Sequence, residues 1–291
     1  MKTIVLLIGV LAAASAEWID IDWSQVRPIE EFDHYWARLP SELQYLRNAF
    51  PNRRITNGQQ ATPGQFPYQI ALITTFSAGT ALCGGSVLTR NYILTAAHCV
   101  QTALGGTAIV GVHNRLLAEE SQQRIAFTAV GINIHSGYTS TNFRNDIATV
   151  RLNSAMTLND RVVPVRIPVA GDSRTFAGWT GTVSGFGRLS DASTATSAVV
   201  MYTSNPIMSE SECLYRWGSN YIQTQNICLS GDGGRSPCNG DSGGPLAVQD
   251  NGSLQVGIVS FGSASGCSVG MPSVFVRVSH FRDWIIANSD L

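Results

Sequence analysis

From residue 55 onward, short apolar or alternating runs recur between turn-forming residues. They include "YQIALIT", "TAIVGV", "LQVGIVSFG" and "SVFVRV", which are rich in β-branched residues and bounded by Gly, Pro, Asn and Ser. This pattern predicts an all-β barrel or sandwich, because no long helical periods separate the runs. The C-terminal run "HFRDWIIANSD" differs, since Phe281, Trp284 and Ile285 have the spacing of an amphipathic helix.

The first 54 residues follow a different pattern. Residues 1–16, "MKTIVLLIGVLAAASA", combine Lys2, an apolar run and a small-residue cleavage pattern, as a signal peptide does. The apolar run is well short of the roughly 20 residues that cross a bilayer. We therefore expect a secreted, extracellular protein without a membrane anchor. Residues 17–54 are acidic and aromatic, and they end in "PNRRITNG", which is either a solvated basic turn or a processing site for a trypsin-like protease.

Composition narrows the class of protein further. Charged residues make up 13% of the 291 residues and the net charge is −1, which argues against a nucleic-acid partner. In an oxidising compartment, an even number of cysteines without a CxxC pair favours disulfides over zinc. Six cysteines allow 15 pairings, so their number alone does not decide the connectivity. The cysteines are Cys83, Cys99, Cys213, Cys228, Cys238 and Cys267.

The stretch "PCNGDSGGPL" places Asp241 directly before Ser242. A serine hydroxyl becomes a strong nucleophile when a neutral imidazole accepts its proton and a buried carboxylate orients that imidazole. His98 in "LTAAHC" and Asp146 in "RNDIATVRL" stand beside apolar strand-like runs and are candidates for these two groups. Taken singly, the three residues could equally be a core histidine, a strand cap and a turn serine.

Taken together, the motifs are far more specific. "LTAAHC", "NDIA" and "GDSGGP" occur in this order, with "RITNG" before them and "GIVSFG" after them, and they closely resemble the chymotrypsin-like serine proteases over residues 55–291. The resemblance implies two six-stranded antiparallel Greek-key β-barrels with a C-terminal α-helix. It also implies a digestive serine endopeptidase, made as a zymogen with a signal peptide (1–16), an activation propeptide (17–54) and a protease domain (55–291).

The resemblance assigns a role to each motif residue. His98 would be the general base, Asp146 would orient it, and Ser242 would form the acyl-enzyme. The backbone N–H groups of Gly240 and Ser242 would form the oxyanion hole.

The same resemblance explains Asp241. Cleavage between Arg54 and Ile55 would free an α-amino group that pairs with the Asp241 carboxylate in the interior and shapes the oxyanion loop. The uncut chain is therefore expected to be nearly inactive. The implied disulfides are Cys83–Cys99, Cys213–Cys228 and Cys238–Cys267, which leave no cysteine to tether the propeptide, so we expect it to leave after cleavage.

The resemblance also implies a specificity pocket with Ser236, six residues before Ser242, at its base. Ser236 is neutral and Gly262 leaves one wall open, whereas Ser273 should narrow the slot slightly. Ser260 and Gly262 would pair with the substrate backbone as an added strand does. We predict a preference for large apolar or aromatic residues before the cut bond, with elastase-like or collagen-cleaving specificity as the alternatives.

Val112 and Gln122 stand where trypsin-like calcium loops carry carboxylates, so neither a metal nor another cofactor is expected. Asn251 begins a glycosylation sequon. Expected partners are protein or peptide substrates, an activating trypsin-like protease and protein protease inhibitors, and the chain is expected to be a monomer. The competing hypothesis is a catalytically silent homologue with a binding or regulatory role, which the presence of both Ser242 and His98 disfavours.

Overall fold

The computed structural model describes residues 18–37, 58–189 and 193–291. The expected signal peptide and the Arg54–Ile55 junction lie outside the described residues. We call residues 18–37 the leader segment, because they belong to the expected propeptide. Among the described helices, none has the length and apolar character needed to cross a membrane.

The described residues form two sheets, and the first of them has eight strands. They are β1 (Val26–Pro28), β3 (Gln69–Phe76), β4 (Gly79–Val87), β5 (Tyr92–Thr95), β6 (Gly105–Val110), β7 (Gln123–Thr128), β8 (Ile132–Ile134) and β9 (Ala148–Arg151). Their order is β7-β6-β3-β4-β5-β9-β8, and β1 pairs with β4 outside this path. Strands β7 and β8 lie at opposite ends of the order, yet only Ala129–Gly131 separates them along the chain. The sheet must therefore curl until its two ends meet, as in a barrel.

The second sheet has seven strands. They are β2 (Gln59–Gln60), β10 (Thr180–Gly185), β11 (Met201–Pro206), β12 (Asn226–Leu229), β13 (Pro245–Gln249), β14 (Ser253–Phe261) and β15 (Ser273–Arg277). Their order is β12-β15-β14-β13-β10-β11-β2. A bridge between Ile207, which follows β11, and Leu229 in β12 closes this sheet as well.

The strand counts differ from the expected six in each barrel for physical reasons. In the first sheet, β7 and β8 are one bent strand interrupted by a 3-10 turn, and β1 comes from the leader segment. In the second, β2 adds two residues to the edge of β11. The expected all-β class with two curled, mainly antiparallel sheets is confirmed.

Within residues 18–37, 58–189 and 193–291, helices are few and short: α1 (Asp33–Trp36), α2 (Glu210–Trp217) and α3 (Arg282–Ala287). A capping box between Ser209 and Glu212 begins α2. The predicted C-terminal helix is present. The side chain of Ile285 in this helix is buried in the core of the first barrel, as is that of Phe281, which precedes the helix. The apolar spacing therefore predicted both the helix and the face that it buries.

Three disulfides link β4 to the 3-10 turn Ala97–Cys99, α2 to β12, and the loops that precede β13 and β15; they are Cys83–Cys99, Cys213–Cys228 and Cys238–Cys267. All six cysteines lie in described residues and none is free.

The leader segment is part of this fold. Strand β1 forms the only parallel ladder among the described strands, with Val26–Pro28 beside Thr80–Leu82 of β4. Ile29 is fully buried and Phe32 nearly so, and both pack in the core cluster of the first barrel. This docking carries the next leader residues to the cleft between the two barrels.

Candidate active site

His98 and Asp146 are brought together by neighbouring strands. His98 lies in a 3-10 turn shortly after β5, and Asp146 lies just before β9, which pairs with β5. The Asp146 carboxylate accepts the backbone N–H of His98 at 3.0 Å, and its Oδ2 lies 2.7 Å from His98 Nδ1. Because an ionised carboxylate can only accept, this contact places the imidazole proton on Nδ1 and leaves Nε2 as the basic nitrogen.

Ser260 completes this network from the other barrel. Its hydroxyl donates to Asp146 Oδ2 at 2.6 Å. The family resemblance implied only a substrate-backbone role for Ser260, and no sequence motif predicts this side-chain contact. Three hydrogen bonds thus hold a fully buried carboxylate, which offsets the cost of removing it from water.

Ser242 lies in the turn before β13, at the opposite side of the cleft. The backbone oxygen of Ser242 accepts the N–H of Gly84 at 2.7 Å, which anchors the turn to β4. Gly240 has a φ of +98°, a conformation that L side chains rarely adopt. A Cβ at Gly240 would also lie a tight 3.1 Å from the Thr196 side chain and 3.2 Å from the Gly187 Cα, which adds to the strain set by φ.

Asp241 is fully buried beside this turn. Its carboxylate accepts the backbone N–H groups of Gly187 at 2.7 Å and Cys238 at 2.9 Å, and no cation among the described residues pairs with it. Burial raises the pKa of Asp241 to about 7, and the negative charge of Glu30 acts in the same direction. Ile55, its expected partner, lies outside the described residues.

Glu30 of the leader segment occupies the centre of the site. No sequence motif predicted that this residue would lie there. The Ser242 hydroxyl donates to Glu30 Oε1 at 2.6 Å, and the Gly240 N–H donates to Glu30 Oε2 at 3.0 Å. His98 Nε2 has no hydrogen-bond partner among the described residues. The nucleophile and base candidates are therefore in place, but the serine hydroxyl donates to the leader and not to the imidazole.

Burial also raises the pKa of Glu30, and the hydrogen bond from Ser242 partly opposes that rise. The acidic composition of residues 17–54 was the only sequence signal near this residue, and it does not say which carboxylate enters the cleft.

A cavity of about 140 Å³ opens beside Ser242. Its lining includes Ser236, Gly262 and Phe261, together with Trp36 of the leader segment. The Ser236 hydroxyl donates to the oxygen of Pro237 at 2.9 Å and lies 2.7 Å from the Ser273 hydroxyl. A Cβ at Gly262 would meet nothing within 4 Å, which agrees with an open wall. Ser273, expected to narrow the slot, lies behind Ser236 and does not line the cavity.

The loop between β6 and β7 contains Val112 and Gln122. Gln122 Nε2 donates to the oxygens of Asn114, Leu117 and Glu119 at 2.8, 2.9 and 3.0 Å. An amide nitrogen thus sits among the oxygens that a hard cation would need as ligands, and a donor group there does not suit such an ion.

The site combines a buried carboxylate, an imidazole and a serine at adjoining strand ends, with backbone N–H groups beside them. This arrangement is suited to acyl transfer. The family model described as Trypsin matches residues 55–285. The chain belongs to the Trypsin family. As a member, it is a serine endopeptidase with a chymotrypsin-like structure that acts on protein substrates.

Relatives of this protease include a chymotrypsin from Phaedon cochleariae, 38% identical over 98% of this chain and 95% of the relative. A brachyurin from Leptuca pugilator is 37% identical over 79% of this chain and 96% of the relative. A collagenase from Hypoderma lineatum is 33% identical over 86% of this chain and 94% of the relative. A solved structure named "HL collagenase" matches with a TM-score of 0.74 and 33% identity, covering 81% of this chain and 99% of the solved chain.

Proposed function

We propose that His98, Asp146 and Ser242 form the catalytic triad of this protease. His98 Nε2 takes the proton of Ser242 Oγ as the oxygen bonds to the substrate carbonyl carbon, and the same proton then passes to the leaving amine as the C–N bond breaks. Water repeats the sequence to release the acid. The contact of 2.7 Å between His98 Nδ1 and Asp146 is the observation on which this proposal rests, because it orients Nε2 as the base.

The N–H groups of Gly240 and Ser242 are proposed to stabilise the oxyanion. The direction of the Gly240 N–H supports this role, since it already donates to a carboxylate oxygen. Removing one such donor typically raises the barrier by roughly 3–4 kcal/mol.

Activation is proposed to follow cleavage between Arg54 and Ile55. The buried Asp241 carboxylate has no cation among the described residues, and a new α-ammonium group at Ile55 would supply one. A separate trypsin-like protease makes this cut, because the neutral Ser236 does not bind Arg54. The same proposal includes secretion through signal peptide 1–16, a digestive role, a monomeric state and restraint by protein inhibitors.

The proposed specificity is for large apolar or aromatic residues before the cut bond, such as Phe, Tyr, Leu or Met. Buried Ser236, the open side at Gly262 and the apolar wall of Phe261 support it. Ser260 and Gly262 are proposed to pair with the substrate backbone. Collagen cleavage is a second candidate, because relatives at 33% identity carry the name collagenase.

The triad is tested on protein that has been cleaved after Arg54. A serine-directed phosphonate should label Ser242 in the cut wild-type protein, whereas Ser242→Ala should remain unlabelled and inactive. Correctly cut protein that takes no label would contradict the proposal and favour the silent homologue.

The test of the pocket is Ser236→Asp. A carboxylate at the base would favour Arg and Lys electrostatically, so we expect kcat/KM for Arg substrates to rise and that for Phe substrates to fall by at least about tenfold. A peptide-library profile of both cut proteins measures this. A wild-type preference for Arg or Lys would show that the pocket assignment is wrong.

A further inference from the structure

The leader segment contacts the protease domain through its side chains as well as through the pairing of β1 with β4. Its aromatic and acidic side chains meet three arginines of that domain. The Trp18 ring lies 4.1 Å from the Arg124 guanidinium and the Trp23 ring lies 4.8 Å from that of Arg115, while Glu31 forms an ion pair with Arg188. These contacts lie on both sides of β1 and, together with its pairing with β4, hold the leader on the protease domain.

Within the cleft, Glu30 takes the positions that catalysis needs. One carboxylate oxygen accepts the Gly240 N–H, where the oxyanion would bind, and the other accepts the Ser242 hydroxyl. A charged oxygen is the preferred acceptor for such donors. While Glu30 is bound, the Ser242 proton points at a carboxylate and not at His98.

The leader is not bound as a substrate. Ile29–Glu31 forms a 3-10 turn, whereas a substrate is cut in an extended conformation. The backbone oxygen of Glu30 accepts the Trp36 indole N–H at 2.6 Å, so this peptide carbonyl is held by the leader itself. Among the described residues, a carboxylate side chain and not a peptide carbonyl accepts the Gly240 N–H.

The next residues cover the rest of the site. The Tyr35 ring packs edge-on against His98 with centroids 5.5 Å apart, and Trp36 borders the cavity above Ser236. One short segment therefore contacts the nucleophile, the base, the oxyanion donor and the specificity pocket.

We propose that the leader segment is a built-in competitive inhibitor of the protease domain. The protease domain then carries a binding site for an acidic, aromatic peptide. The leader occupies this site as part of the uncut chain, and it can occupy the same site as a released peptide after cleavage. This proposal rests on the proposed role of Ser242 as the nucleophile. It also changes the expected fate of the propeptide, because cutting the chain is then insufficient until the leader dissociates.

The experiment adds a synthetic peptide of residues 18–37 to protease that has been cut after Arg54 and separated from its propeptide. Inhibition of a small chromogenic substrate should be competitive. Glu30→Ala in the peptide should raise the inhibition constant by at least about tenfold, because two hydrogen bonds to a charged group are lost. The matched control is Asp22→Ala, since the exposed Asp22 carboxylate accepts hydrogen bonds from Ser24 alone in the part of the chain that the structure describes. That control should change the constant by less than about twofold.

A fluorescein-labelled copy of the peptide provides a second measurement that does not require turnover. Its anisotropy should rise on the cut protein and fall when unlabelled wild-type peptide competes, but not when the Glu30→Ala peptide competes at the same concentration. Cut protein that reacts with the phosphonate but is neither inhibited nor bound by the peptide would overturn this proposal and leave the proposed function intact. Equal affinity of the Glu30→Ala and Asp22→Ala peptides would overturn it too. Failure of phosphonate labelling in the absence of peptide counts against the proposed function instead.

Discussion

At the scale of single residues, two buried carboxylates dominate the site. Glu30 and Asp241 are both buried, and neither belongs to an ion pair among the described residues. Burial raises the pKa of each, that of Asp241 to about 7. A carboxyl whose pKa is higher in the folded chain than in the unfolded one favours the folded state at low pH. That contribution is complete below about pH 4 and is lost as the pH rises towards about 7.

We therefore predict that the uncut chain loses stability between pH 4 and pH 7. One pKa unit corresponds to about 1.4 kcal/mol, so the loss from Asp241 should be a few kcal/mol in the free energy of unfolding. Asp241→Asn should reduce this slope, because a neutral amide does not titrate. Urea unfolding at several pH values measures it.

The matched control for this measurement is Asp160→Asn, which removes a carboxyl at an exposed position. It should keep the wild-type slope. An Asp241→Asn chain with an unchanged slope would mean that Asp241 does not bear the cost of burial.

At the scale of elements, the loop between β6 and β7 shows how one side chain can replace an ion. Gln122 is 6% exposed and its amide nitrogen holds three oxygens of the loop together. Such a donor satisfies buried carbonyl groups that would otherwise be costly. The loop is therefore expected to keep its shape without calcium.

We predict that a calcium chelator leaves the melting temperature of the wild-type chain unchanged. Gln122→Glu should lower the free energy of unfolding by roughly 1–3 kcal/mol in chelator, because a donor is lost and a second negative charge faces Glu119. Millimolar calcium should restore part of the lost stability, because the introduced carboxylate and the loop oxygens can then bind the ion together. Calorimetry with Gln60→Glu, at an exposed position of β2, is the control. A wild-type chain that melts earlier in chelator would contradict this prediction.

At the scale of the whole molecule, the site is assembled from both barrels and the leader. His98 and Asp146 come from the first barrel, whereas Ser242, Asp241 and Ser260 come from the second. The leader crosses the cleft between them and anchors itself through Ile29 and Phe32. Full burial of such side chains contributes roughly 1.5–3 kcal/mol each, so the leader should stabilise the uncut protein.

We predict that purified precursor does not mature by itself. Its neutral pocket should not recognise Arg54, and its site is covered by the leader. Peptidase activity should appear only after trypsin is added and a fragment ending at Arg54 is detected by mass spectrometry. The Ser242→Ala precursor should be cut by trypsin equally fast and stay inactive. Spontaneous cleavage after Arg54 in wild-type precursor, absent from Ser242→Ala, would contradict the pocket assignment.

The sequence alone predicted the features that depend on neighbouring residues. Strand-like runs, the helix around Ile285 and the motifs around His98, Asp146 and Ser242 were visible because hydrophobic period and motif order are local properties. The resemblance to a known family added the disulfide pairs and the expected pairing of Asp241. None of these required knowledge of which distant segments meet.

The tertiary structure alone decided which distant groups share the cleft. Glu30 and Ser242 are 212 positions apart, and Ser260 and Asp146 are 114 apart, so no spacing rule connects them. Contacts of this kind depend on the closure of two barrels and on the pairing of β1 with β4. An acidic leader residue looks the same in sequence whether it faces solvent or a serine. The packing of Ile29 and Phe32, together with the pairing of β1 with β4, fixes the path of the chain and so brings Glu30 to Ser242.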